Sequence, residues 1–169
     1  MTSGSSMLAP ASPALDVMIE APAWSDQRDA EATVRRAIAA ACDQVNAAGE
    51  TCVVLTDDAA VRGLNRTWRH IDRPTNVLSF PATTPGGNPA SAIMLGDIVI
   101  AYETTASEAV AEGKPFLDHL AHLTVHGFLH LLGYDHADDD QAEEMERLER
   151  EILATLCMKD PYLASDVRA

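Results

Sequence analysis

Cysteine is scarce in this 169-residue chain. There are three, Cys42, Cys52 and Cys157, and no Cys-x-x-Cys pair. An odd set of scattered thiols makes no disulfide framework, and a thiolate zinc site lacks its ligands. They read as buried, reduced thiols of a cytoplasmic protein. Basic residues are also few, 12 against 26 acids, for a net charge of −14. That balance speaks against general nucleic-acid affinity. No apolar run reaches eighteen residues, so no membrane span is expected. No basic segment followed by an apolar one opens the chain, so no secretory signal is expected. No internal repeat and no linker between domains is visible.

What is present suits one domain with a sizeable core. Residues 1–13 are rich in Ser, Ala and Pro and read as a mobile extension, 14–163 as a single domain, and 164–169 as a short tail. Strands are expected at 15–20, 51–55, 76–80 and 93–101. Ser25 and Asp26 can cap a helix that runs to about Ala47, with Val34, Ile38, Ala41 and Val45 as its apolar stripe and Gly49 as its stop. Thr56 or Asp57 caps a second helix through about Trp68. Residues 82–92, with two prolines and two adjacent glycines, read as a loop with a mobile tip. That loop carries no helical pattern, so the strands flanking it should pair antiparallel. A short helix is expected near 105–112 and a central one over 115–132, apolar nearly all round and therefore buried. Asp138 to Asp140 cap the last helix, whose Met145, Leu148, Ile152 and Leu156 face the core. The expected fold is a small α/β (α+β-like) domain: a mixed four-stranded sheet with one antiparallel hairpin, packed by helices.

The chemistry concentrates in His126-Gly127-Phe128-Leu129-His130-Leu131-Leu132-Gly133-Tyr134-Asp135-His136. A spacing of four stacks the first two imidazoles on one helical face, close enough to grip one ion. Gly133 accepts the left-handed turn that ends the helix, so the chain can bend back and present His136 to the same ion. Three histidines leave the fourth position of a tetrahedral metal open, as catalytic sites do. His119 and His122 continue the stripe within a sector roughly 80° wide and suit a supporting role, orienting ligands or holding the loop. Asp135 can cap the turn or orient His136. The spacing also matches a zinc protease class that needs a glutamate directly after the first histidine as general base. Gly127 stands there and cannot take a proton.

Charge is uneven. Nine of the 26 acids lie between Asp135 and Glu151, and Arg62, Arg66, Arg69 and Arg73 lie close together, spaced four, three and four. If the second helix continues, the arginines share a face that could bind phosphates. Arg69 is the best single candidate, placed where the helix ends just before Pro74-Thr75-Asn76, and able to fork onto a phosphate. Asn76, with Thr75 and Ser79, offers neutral hydrogen bonds nearby, although turn and strand roles explain these residues equally well.

Taken together, these residues resemble the YbeY family of bacterial endoribonucleases, also called rRNA maturation factors. The likeness rests on the histidine run from His119 to His136, on Leu64-Asn65 with Arg69, on Pro74-Thr75-Asn76-Val77-Leu78-Ser79-Phe80-Pro81, on Leu95-Gly96-Asp97-Ile98 and on Asp160-Pro161-Tyr162. The resemblance implies a single-strand-specific, metal-dependent endoribonuclease. Such an enzyme acts on the 3′ end of the small-subunit rRNA and in ribosome quality control. It implies His126, His130 and His136 as ligands of one divalent ion, usually zinc, and Arg69 as the functional arginine. The implied partners are single-stranded RNA and the small ribosomal subunit; the acidic surface also suits a basic ribosomal protein, and no membrane or DNA partner is expected. Two other functions stay open on the residues alone: a non-catalytic, metal-stabilised ribosome-assembly factor, and a metal hydrolase of another substrate.

Overall fold

The computed structural model describes residues 14–82 and 94–162. Runs of β-branched and aliphatic residues form four strands, β1 (Ala14–Ile19), β2 (Glu50–Thr56), β3 (Val77–Pro81) and β4 (Met94–Ala101). They make one mixed sheet in the order β1-β2-β4-β3. β2 runs parallel to both β1 and β4, and β3 runs antiparallel to β4. The hairpin expected from the missing crossover is therefore present, and β3 is an edge strand.

Five helices cover the sheet: α1 (Ala30–Val45), α2 (Asp58–Arg69), α3 (Tyr102–Glu112), α4 (Phe116–Leu131) and α5 (Asp139–Thr155). The period-two alternation of the strands sorts them. Val53, Leu55, Ile98 and Ile100 pack with the apolar faces of α1, α4 and α5. Val54, Leu78, Val99 and Ala101 point the other way and pack with Val61 and Leu64 of α2. α4 lies in the middle of the larger layer, against β3, β4, α1, α3 and α5. Its near-continuous apolar surface follows from that position.

Two glycines let this layer close. A Cβ on Gly127 would stand 2.9 Å from Ile98 Cγ2 and 3.1 Å from Ser79 Oγ. Position 127 thus faces the sheet, and Ser79 Oγ donates to its carbonyl at 2.9 Å. Gly96, with φ +137°, has the Phe80 carbonyl 2.3 Å from where a Cβ would be. Only glycine fits that backbone and that contact.

Several expectations need correcting. Ser25 and Asp26 do not cap α1. They belong to a 3₁₀ turn, Pro22–Asp26, in which Ser25 Oγ donates to the Pro22 carbonyl. Trp24 anchors that turn: it is buried, and its Nε1 donates to the Thr56 carbonyl at 2.8 Å. α1 starts four residues after the turn, and it ends at Asn46, not Gly49, because Asn46 takes the left-handed conformation at φ 52°. α3 begins at Tyr102, three residues before the expected start. Asp57 and Asp138 do cap, accepting from the amides of Ala60 and Gln141. Of the cysteines only Cys42 is buried. Cys52 is half-buried, and Cys157 is exposed on a left-handed turn past α5. The extension at 1–13, the tail at 164–169, the domain limit at 163 and the loop at 82–92, except Ala82, lie outside the described residues.

The two environments of glycine predict opposite outcomes in urea denaturation. Gly127→Ala should destabilise the protein by about 1–3 kcal/mol through overpacking against β3 and β4. Gly63→Ala, in α2 with nothing within 4 Å of its Cβ position, should be neutral or stabilising by up to ~1 kcal/mol.

Candidate metal centre

His126 and His130 lie one turn apart near the end of α4. Their Nε2 atoms approach to 3.2 Å. The helix then closes in a paired bond pattern. The Gly133 amide donates to His130 and the Tyr134 amide to Leu129, with Gly133 at φ +100°. This arrangement satisfies two terminal carbonyls and reverses the chain. His136 returns to the other two rings, stacked on His126 at a centroid distance of 5.8 Å and edge-on to His130 at 5.1 Å. Asp135 Oδ1 accepts from the His136 amide at 2.8 Å, which holds the turn. One ligand atom from each of the three histidines lies within 4.8 Å of the others.

The hydrogen bonds behind the rings decide what the front can do. His130 Nδ1 faces the Tyr134 carbonyl at 3.0 Å. A carbonyl only accepts, so that nitrogen carries the proton and Nε2 keeps its lone pair. His126 Nδ1 faces Glu149 Oε2 at 2.6 Å. Burial pushes the Glu149 carboxyl up, but hydrogen bonds and charge from His122 and His126 outweigh it and hold the group at about 2. It is ionised, so His126 Nδ1 also donates. With both Nδ1 atoms engaged from behind, the two Nε2 atoms, 3.2 Å apart, are the ring nitrogens left facing each other at the front, where one ion could be shared. Burial, followed by the charges of His126 and His136, lowers the pKa of His130, against the Tyr134 bond. It is thereby kept available as a neutral ligand. The three residues fit a divalent ion, with partners of the kind that usually support histidine ligands.

Glu149 went unnoticed in the sequence. It is completely buried. Oε1 accepts from His122 Nε2 at 2.9 Å and from the Tyr162 hydroxyl, while Oε2 serves His126. Burial and the bond to Glu149 raise the Tyr162 pKa far above its ordinary value. A signal existed: position 149 falls between Met145 and Ile152 on the core face of α5, where an acid needs a partner. His122 is thus linked to His126 through the Glu149 carboxylate. His119, buried, pairs instead with Glu108 Oε1 at 2.8 Å, and the same oxygen accepts from Asn76 Nδ2 at 2.9 Å. That chain ties α4 to α3 and to the start of β3. Asn76 also accepts from the Val77 amide, so its side chain is largely committed to structure. A cleft of about 1120 Å³ opens beside His126, walled by Asn76, Glu108, His119, His122 and Tyr162.

The arginines are less unified than their spacing suggested. α2 ends at Arg69, because His70 turns left-handed at φ 60°. Arg73 is therefore off the helix, in a loop where its carbonyl accepts from Asn65. Arg62 is held by both oxygens of Asp72, at 2.8 and 3.2 Å. Arg66 reaches the same carboxylate only at 3.9 Å. Arg69 is exposed and makes no side-chain hydrogen bond among the described residues. α2 packs on the sheet face opposite α4, so the sheet lies between the arginine helix and the histidine helix.

A sequence model of the family described as Endoribonuclease YbeY matches residues 19–157. The chain belongs to the YbeY family. It is 58% identical over 156 residues to the Endoribonuclease YbeY of a Bradyrhizobium strain (BTAi1), covering 89% of this chain and 92% of that one. It is 58% identical over 159 residues to that of Rhodopseudomonas palustris BisB18, covering 91% and 95%. Among solved structures, that of TM1509 from Thermotoga maritima superposes with a TM-score of 0.52 at 20% identity, over 88% of this chain and 98% of that one. That likeness supports the shared fold. No helix among the described residues is long and apolar enough to cross a membrane.

Glu149→Gln should weaken Zn²⁺ binding about 10- to 100-fold, read by competition with a chromophoric chelator. It should also change acid stability. The folded value of about 2 lies below the ordinary 4.5. The contribution is therefore full above pH 4.5 and is lost as pH falls toward 2. Urea melts of the metal-free protein across that window should show a loss on the order of 3 kcal/mol, absent in Glu149→Gln.

Proposed function

We propose that this chain is a single-strand-specific, metal-dependent endoribonuclease. Its role would be the maturation of the small-subunit rRNA 3′ end and ribosome quality control in the cytoplasm. The observation that carries the proposal is the convergence of His126, His130 and His136, with two Nδ1 atoms engaged from behind and the Nε2 atoms left as donors. These three would hold one divalent ion, taken as zinc from the family resemblance, since an all-imidazole set accepts zinc, nickel, cobalt or copper alike. Such an ion supplies Lewis acidity toward water and a phosphate oxygen.

The remaining roles fall to the chain's own side chains. Arg69 is proposed to fork onto the scissile phosphate and stabilise charge on its oxygens. Arg66 and Arg73 extend the phosphate contacts, while Arg62 stays paired with Asp72. Glu149 does not serve as the general base: its oxygens already accept from three donors, and it is held ionised deep in the core. His122 and Asp135 position the ligands. His119 fixes the cleft wall through Glu108 and Asn76. Two routes differ in their products: attack by the neighbouring RNA 2′-hydroxyl forms a P–O2′ bond, breaks the P–O5′ bond and leaves a 2′,3′-cyclic phosphate with a 5′-hydroxyl that takes up a proton, whereas attack by water leaves no cyclic phosphate. The acidic run from Asp135 to Glu151, mostly exposed up to Glu144, complements a basic ribosomal protein better than it complements RNA.

His126→Ala should lose bound metal and RNA cleavage together. Arg69→Glu should keep its metal and lose cleavage by about 100-fold or more. Elemental analysis and cleavage of end-labelled single-stranded RNA, with end-group analysis of the products, measure both. Ribonuclease-free protein that cleaves no single-stranded RNA with any divalent metal would overturn the proposal.

A further inference from the structure

The apolar stripe of α2 runs Val61, Leu64, Trp68. Val61 is fully buried, and Leu64 is packed on the sheet beside it. Trp68 comes next at helical spacing but is 66% exposed. The cause is topological. β3 is the edge of the sheet, and the helix runs past it. The indole touches Phe80 only edge-on, with centroids 6.3 Å apart and planes at 65°. Tryptophan is normally well buried, and the other one, Trp24, is 1% exposed.

The surroundings indicate what would cover it. Residues 62–73 carry four arginines and one acid, Asp72, in a chain of net charge −14. Arg62 neutralises Asp72, whereas the Arg66 side chain is 64% exposed and Arg69 is exposed. An open aromatic face with exposed arginines beside it in the sequence matches a polyanion with exposed π-faces, which is single-stranded rather than duplex nucleic acid. The position also matters. Phe80 meets Trp68 on one side of β3. On the other side Ser79 bonds to the Gly127 carbonyl, directly after His126. One five-residue edge strand separates the indole from the histidine cluster.

We propose that Trp68 is a stacking platform for one base of single-stranded RNA, whose phosphates Arg66 and Arg69 hold as the strand turns round the edge of β3 toward the histidines. This rests on the endoribonuclease function proposed above and adds a subsite to it.

The test is fluorescence anisotropy of full-length, metal-loaded protein with a labelled 2′-O-methyl oligouridine of about ten nucleotides, and with an abasic strand of equal length. Trp68→Ala should weaken oligouridine binding about fivefold or more, and Trp68→Phe should stay within roughly threefold of wild type. The abasic strand should bind wild type and Trp68→Ala alike. Unchanged oligouridine binding by Trp68→Ala, or an equal loss on the abasic strand, overturns the platform. If wild type still cleaves RNA, only this inference falls. If wild type neither binds nor cleaves RNA, the endoribonuclease proposal falls with it.

Discussion

A carboxylate with no access to water holds the centre together. Glu149 would be costly to bury alone. Its three donors, from His122, His126 and Tyr162, come from α4 and from the segment past α5. Each donor is itself fixed by the bond. The stripe of histidines on a buried helix can exist because α5 supplies this acceptor, and α5 can carry an acid on its core face because α4 supplies the donors. Removing one partner strands the others, so the network is specified as a unit.

The fold forms around the same dependence. α4 must lie close to the sheet for its rings to project away from it, and Gly127 sets that closeness. The lack of a carboxylate after His126 first counted against peptidase chemistry. In the structure it has a packing cause as well, since that position meets Ile98 and Ser79 and has no room for a side chain. One residue thus has a consequence on each side of the helix.

Much of this was legible in the residues. The strands, the antiparallel hairpin, the buried helix and the three convergent histidines follow from alternation, from a loop without helical pattern and from spacing. What escaped depended on contacts between elements distant in sequence. Glu149 lies 23 residues from His126, and local patterning on α5 marked it only as an acid on a core face. The start of α1 escaped because Trp24, held by the Thr56 carbonyl, stabilises a 3₁₀ turn where two good capping residues stand. The arginine stripe was overextended because His70 adopts a left-handed backbone without being glycine, which no propensity foretells. The exposure of Trp68 depends on which strand forms the edge of the sheet.

The turn after α4 has an electrostatic consequence. Peptide dipoles along a helix leave its C-terminal end negative. His126 and His130 occupy the last two turns of a 16-residue helix, half-buried at the end where the chain emerges into the exposed turn that carries His136. A cation held by these rings would lie beside the negative end of α4. The bonds from Gly133 and Tyr134 close the terminal carbonyls of His130 and Leu129, leaving the field but not the free acceptors. The helix thus favours a positive ion over an anion or a neutral ligand, before any particular metal is chosen.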